Sequence, residues 1–239
     1  MKNSFMVEND EIIFRRANLN DNLEEIATLI YETDPYIYPF WFNNSVKKAQ
    51  RFLPKLMQEE GNLFHIDNMY IAYDKTNGKV VGVLVAIDKS IKLDFDWTKY
   101  KKINHNYRFT IEHYVEEIEK EIRETDNKEL LYISNICVQT ELRGRKIGSK
   151  LIGFFISQME EKGYDTFSLD CLLHNLRAKN LYHGMGFKEM KEIVGFDGTD
   201  HSKVEVVSFL RKKGNYYPEE FQVSYLDKKN TRALRGIYR

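Results

Sequence analysis

The chain has 239 residues, of which 42% are hydrophobic and 30% charged, enough for one well-cored domain with embellishments. Its 36 Lys and Arg balance 36 Asp and Glu, so no field of one sign draws it to nucleic acid or to a membrane surface, and any anion binding must be local. No stretch approaches the roughly 20 apolar residues needed to cross a bilayer, and "MKNSFMVENDEIIF" lacks the apolar run of a signal peptide, which points to a cytoplasmic protein.

In chain order, "EIIFRRA" (11–17) reads as a strand, and the segment after it places Leu23, Ile26, Leu29 and Ile30 at helical spacing behind a cap at Asn20 or Asp21. "PYIYPFWFNN" (35–44) is dense in aromatics and broken by two prolines; it suits either core packing or an aromatic wall around a ligand. A second helical pattern covers 45–61. Two strands then flank "KTNGK", whose Asn77-Gly78 pair is a hairpin signal because both positions tolerate positive φ. Between 91 and 128 the character changes, and Ile111, Tyr114, Val115, Ile118 and Ile122 form the stripe of an inserted helix with a charged outer face.

"LLYISNICV" (130–138) is short, apolar and β-branched, as a strand buried on both faces would be. After it comes "QTELRGRKIGSKLI", in which Ile147, Leu151, Phe154, Phe155 and Met159 mark one helical face. Glycines and four basic residues therefore stand at a strand-to-helix turn. Unpaired helix amides, the positive end of the helix dipole and nearby arginines make such a turn a site for phosphate. "YDTFSLDCLL" alternates as a further strand, parallel to the preceding one through a right-handed crossover. "NLRAKNLYHGMGF" (175–187) is a short helix capped by Asn175, and "FKEMKEIVGF" and "KVEVVSFLRKK" pair as closing strands across "DGTDHS". In the tail from 214 to 239, "FQVSYLD" alternates like a strand, and the basic "KKNTRALRGIYR" is open to three readings: disorder, a cap on the fold, or contact with a neighbouring subunit, as in a homodimer. Cys137 and Cys171 read as buried reduced thiols; Cys171 with His174 as its base is the rival reading, but no third group or electropositive setting supports it. No His, Cys and acidic cluster has metal-ligand spacing, so no metal is expected.

"ICVQTELRGRKIGSKLI" followed about thirty residues later by "NLRAKNLYHGMGF" resembles the GNAT superfamily of acyl-CoA-dependent N-acetyltransferases, and the order of elements agrees over roughly residues 12–213. The resemblance implies an α/β GNAT fold: a mixed central sheet with splayed fourth and fifth strands, flanked by helices. It implies a single domain over 1–239, with a core at 12–213, the helical insertion at 91–128 and a C-terminal extension at 214–239. It implies acetyl-CoA as co-substrate, its pantetheine arm against main-chain groups of Ile136, Cys137 and Val138. Its pyrophosphate would rest on amides across Arg143, Gly144, Arg145, Lys146, Ile147, Gly148 and Ser149, with further contacts from Asn175 and Ala178. One position departs from the family pattern, since Lys146 stands where the first glycine is expected.

The resemblance also places Tyr182 where relatives donate a proton to the departing sulfur; the alternative is that it only packs. No strong base stands near Tyr132 or Ser134 on the fourth strand. Ser134 is a candidate water holder, and Glu32, Asp34 and Asp170 are candidate bases whose other reading is capping or surface. The aromatic loop with Tyr36, Tyr38, Phe40 and Trp41, together with the insertion, suggests an enclosed acceptor site for a small-molecule amine. The implied function is acetyl transfer to a primary amine by direct attack; the alternative is a non-catalytic acyl-CoA-binding or regulatory module acting through a protein partner.

Overall fold

The structure, a computed structural model, describes residues 11–88, 130–196 and 203–215. The insertion expected at 91–128 and the tail beyond residue 215 lie outside the described residues. The seven strands follow the order β1-β2-β3-β4-β5-β7-β6 in one mixed sheet, with β4 and β5 parallel. The described residues fall into two compact units.

The first unit holds residues 11–87 and 133–162. It begins with β1 (Ile12–Arg16) and α1 (Leu23–Tyr31), whose first turn is capped by Asn22: its side chain accepts from the Glu25 amide at 3.2 Å. The cap thus falls one or two residues after the expected Asn20 or Asp21, because the Asp21 carboxylate is committed to the Arg15 guanidinium and the Asn18 amide. Within the aromatic stretch the chain forms a short helix, α2 (Ile37–Trp41), despite Pro39. The Asp34 carboxylate starts it by accepting from the Tyr36 and Ile37 amides at 2.7 and 2.8 Å, donors that a helix start otherwise leaves unpaired. Helix α3 (Val46–Leu56) packs on α1 through Ala49, Phe52, Leu53 and Leu56.

Strands β2 (Met69–Asp74) and β3 (Lys79–Asp88) form the expected antiparallel hairpin, and β1 pairs antiparallel with β2. Of the two hairpin residues only Gly78 takes positive φ (+69°). The Asn77 side chain instead accepts from the Lys79 amide at 3.0 Å, which closes the turn without a second left-handed residue. Strand β4 (Leu130–Val138) leads to α4 (Ile147–Glu160), whose apolar face meets β1 and β2, with Phe155 edge-on to Tyr70 at 5.0 Å. A Cβ on Gly82 of β3 would lie 3.2 Å from the Ala72 Cβ and 3.3 Å from the Cys137 carbonyl, so this glycine sets how closely the strands approach β4.

The second unit holds residues 88, 130–132, 163–196 and 203–215. Strand β5 (Thr166–Leu172) pairs antiparallel with β7 (Lys203–Lys212), which pairs antiparallel with β6 (Lys188–Phe196). Helix α5 (Leu176–Gly184) is capped by Asn175, as its sequence predicts, the side chain accepting from the Ala178 amide at 3.2 Å. Phe167, Leu169, Phe187, Val207 and Phe209 are buried in this unit.

The close approach at Gly82 generates a prediction. Because one neighbour is backbone and cannot yield by a rotamer change, Gly82→Ala should destabilise the protein by about 1–3 kcal/mol, the range for overpacking a dense core. Urea unfolding of the two proteins measures it.

Candidate functional site

In the first unit, β4 ends at Val138 and the chain turns through a 3₁₀ segment (Thr140–Leu142) before α4 begins. Gly144 takes φ +88°, and Lys146, the N-cap of α4, is left-handed at φ 61° and ψ 15°. A left-handed backbone at position 146 explains why the family pattern has glycine there: an L-residue clashes with its own carbonyl oxygen and glycine does not. The lysine takes this conformation at the cost of local strain. Its own side chain does not cap the helix, no other side chain does among the described residues, and no acidic residue sits in the first turn. The Ser149 hydroxyl donates to the Lys146 carbonyl at 2.9 Å.

Gly144, Arg145 and Lys146 are exposed at this turn, with Ile147 buried beneath it and Gly148 and Ser149 half-buried. Uncapped amides, a helix-dipole start and exposed basic residues are the donor set that an oxyanion such as a pyrophosphate requires. The residues present therefore fit the phosphate end of acetyl-CoA. Arg143 is arranged differently. Its Nε donates to the Val138 carbonyl at 2.9 Å and its Nη2 reaches the Cys137 sulfur at 3.7 Å, so its charge lies along the end of β4.

Farther back on β4, side chains tie the strand to the α1–α2 connection. Asn135, 4% exposed, donates from Nδ2 to the Thr33 Oγ1 at 2.8 Å and to the Tyr38 Oη at 2.7 Å. Its Oδ1 accepts from the Ser134 Oγ at 3.0 Å, and that hydroxyl also lies 3.3 Å from the Val85 carbonyl. The Ser134 proton, which was a candidate for holding a water, is thus engaged with protein acceptors. Tyr38 and Trp41, expected to line an acceptor site, are 2% exposed and belong to the core; Tyr38 meets Trp41 edge-on at 5.1 Å. Tyr36 and Phe40 are half-buried and retain solvent contact. Burial pushes the Tyr38 phenol well above its ordinary range, so it stays protonated.

In the second unit, Tyr182 is buried on α5 against Phe187 and Phe209, with ring centroids 6.1 and 5.4 Å apart. Burial raises its phenol far above the ordinary value, which keeps the proton on the oxygen. Asn175 and Ala178, expected to contact the cofactor, are joined to one another by the cap. Asp170 accepts from Tyr132 Oη at 3.1 Å and Ser208 Oγ at 2.6 Å, and burial raises its carboxyl. Of the other candidate bases, Asp34 serves as the start of α2, and Glu32 is exposed at the end of α1. The Cys171–His174 reading fails on burial: Cys171 is buried while His174 is exposed, and desolvation pushes the thiol up to about 11. Among the described residues, no three His, Cys, Asp or Glu side chains group as metal ligands, and no helix is long and apolar enough to cross a membrane.

Sequence reasoning missed Thr33 and Asn135. Asn135 carried a signal, since it shares the face of Leu131, Ile133 and Cys137 in an apolar strand, and an amide there requires partners.

Two measurements check this geometry. Lys146→Gly removes the left-handed strain, worth about 1–2 kcal/mol, less the extra chain entropy of glycine, about 0.5–1 kcal/mol. Urea unfolding should therefore show a gain of about 0.5–1 kcal/mol. Burial also raises the Cys137 thiol, so at pH 8 both thiols remain protonated; iodoacetamide should label neither in the native chain and both in denaturant.

Comparison with known proteins agrees with these elements. Residues 32–187 match the family model described as "Acetyltransferase (GNAT) family". Over 62 residues the chain is 37% identical to N-alpha-acetyltransferase 30 of Saccharomyces cerevisiae; the match covers 26% of this chain and 35% of that protein, so the chain aligns with about a third of its relative's length. Among solved structures, a chain of the NatC complex bound to Gag peptide and CoA superposes with a TM-score of 0.51 at 20% identity, covering 85% of this chain and 99% of that one. A mutant agmatine N-acetyltransferase in its apo form gives a TM-score of 0.55 at 17% identity, covering 85% and 100%. Both structural likenesses bear on the fold alone. With the family model spanning β4, the phosphate-type turn and α5, the chain belongs to the acetyltransferase (GNAT) family.

Proposed function

We propose that the protein transfers an acetyl group from acetyl-CoA to the free α-amino group of a peptide or protein. The observation that carries the cofactor assignment is the Gly144–Lys146 turn, which opens an uncapped helix start amid exposed basic residues. The acceptor assignment is supported by the likeness to a relative named for Nα-acetylation and by the fold shared with a complex that holds a peptide. This replaces the small-molecule amine expected from the aromatic loop, a reading weakened by the interior positions of Tyr38 and Trp41.

When bound, acetyl-CoA supplies the acetyl group as an activated thioester. The amides from Ile147 to Ser149, with Arg145 and Lys146, would hold its phosphates, and main-chain groups of Ile136 to Val138 would orient its arm. Tyr182 Oη would donate a proton to the leaving sulfur, a role that suits a phenol kept protonated by burial. An α-amine titrates at about 7.7–8.0, so roughly a tenth of it is neutral at pH 7; a lysine amine, near 10.4, would need a strong base. An α-amino acceptor thereby suits a site in which two of the three candidate carboxylates, Asp34 and Asp170, serve structural hydrogen bonds.

Calorimetry and turnover test this. Acetyl-CoA should bind with a Kd on the order of micromolar, and unblocked decapeptides should be acetylated, whereas Nα-blocked decapeptides containing lysine and agmatine should not. Tyr182→Phe should lower kcat about a hundredfold or more while leaving acetyl-CoA affinity within about twofold. Binding without turnover of any amine would identify a non-catalytic module instead.

A further inference from the structure

Asn135 holds both ends of one short segment. Thr33 and Tyr38 bracket residues 34–37, and both hydroxyls receive a hydrogen bond from the same buried carboxamide. The orientation of that amide follows from hydrogen-bond chemistry. Thr33 Oγ1 donates its one proton to the Ile30 carbonyl at 2.6 Å, so it can only accept from position 135, and the NH2 end must face it. Ser134 donates to the other end, which orients the carbonyl oxygen the same way.

The bracketed segment is itself braced, since Asp34 accepts the amides of Tyr36 and Ile37. Within it Pro35 is exposed, and Asp34, Tyr36 and Ile37 are half-buried. The residues after Asn135 on β4 are Ile136, Cys137 and Val138, the run assigned above to the acyl carrier. One strand thus carries, at consecutive positions, a side chain that anchors the 34–37 segment and a backbone assigned to the acyl donor. Apolar packing alone would bury Tyr38 equally well; directional bonds add a fixed distance and orientation.

We infer that Asn135 is a positioning residue that sets the 34–37 segment as one wall of the acceptor site, in register with the acyl donor on the same strand. This rests on the function proposed above. The residue touches no reacting atom in this scheme. Its effect is on where the acceptor lies, and a displacement on the order of 1 Å at a reacting centre can cost up to about a hundredfold in rate.

The test uses the full chain, acetyl-CoA and an unblocked decapeptide acetylated by the wild type. Asn135→Ala should raise the KM for the peptide about tenfold, the scale of one or two lost buried hydrogen bonds, while calorimetry shows unchanged acetyl-CoA affinity. Thr33→Val, which keeps the shape and removes the acceptor, should move the peptide KM in the same direction; Thr33→Ser, which keeps the hydroxyl, should restore it. Tyr38→Phe added to Asn135→Ala should change the peptide KM by less than Tyr38→Phe does alone, because the Asn135–Tyr38 bond is already gone and only the Tyr38–Thr33 bond remains to be lost. A merely structural amide would lower the melting temperature and the active fraction with peptide KM unmoved, and that result in Asn135→Ala and Thr33→Val overturns the inference alone. Should Asn135→Ala fail to fold, Thr33→Val and Tyr38→Phe decide the matter by the same readout. A wild type that binds no acetyl-CoA, or binds it and acetylates no peptide, overturns the proposed function, and the inference falls with it.

Discussion

A left-handed lysine, Lys146, lets the chain leave β4 and enter α4 with the helix amides uncapped by its side chain. A right-handed residue there would carry the chain off in another direction, and a side-chain cap would consume the donors that an oxyanion needs. The strain at this lysine is local, and the burial of the helix it starts outweighs it. Ile147, Leu151, Phe155 and Met159 are buried along α4, and burying one such side chain contributes about 1.5–3 kcal/mol, more than one left-handed lysine costs. A cationic side chain at a position that favours glycine adds charge at the proposed phosphate site and carries backbone strain.

Polar groups in the two units are handled by hydrogen bonds matched in geometry. In the first unit Asn135 joins β4 to the α1–α2 connection; in the second, Asp170 joins Tyr132 and Ser208. Ser168, one pleat before Asp170 on the same face of β5, departs from that pattern and is buried without a hydrogen-bond partner. Burial raises the phenols of Tyr38 and Tyr182 and the carboxyl of Asp170 by desolvating their charged forms. Both phenols in consequence stay protonated at neutral pH.

This bears on the missing base. The demand on a base grows with the acceptor's pKa: an α-amine, roughly a tenth neutral at pH 7, asks far less of one than a lysine amine. Of the side chains that sequence inspection offers as bases, Asp34 begins a helix and Asp170 lies between two hydroxyls, while Glu32 stays exposed at the end of α1. The proposed α-amino acceptor thereby lowers what the site must supply as a base.

By itself the sequence determined the strands, the helix faces, the phosphate-type turn, the Asn175 cap and the family, because each rests on local periodicity or on residues close together in the chain. Adjacent Asn20, Asp21 and Asn22 compete for the first cap on equal local terms, and only the distant demand of Arg15 on Asp21 decided it. Pro39 reads locally as a breaker, yet Asp34 supplies the acceptor that starts a helix around it. Tertiary structure alone decided that Tyr38 and Trp41 are core rather than wall, that Arg143 lies back on β4, and that Asn135 meets Thr33 and Tyr38 across about a hundred residues of chain. Such pairings depend on which elements the fold packs together, and hydrogen bonds between them leave no periodic trace in either segment.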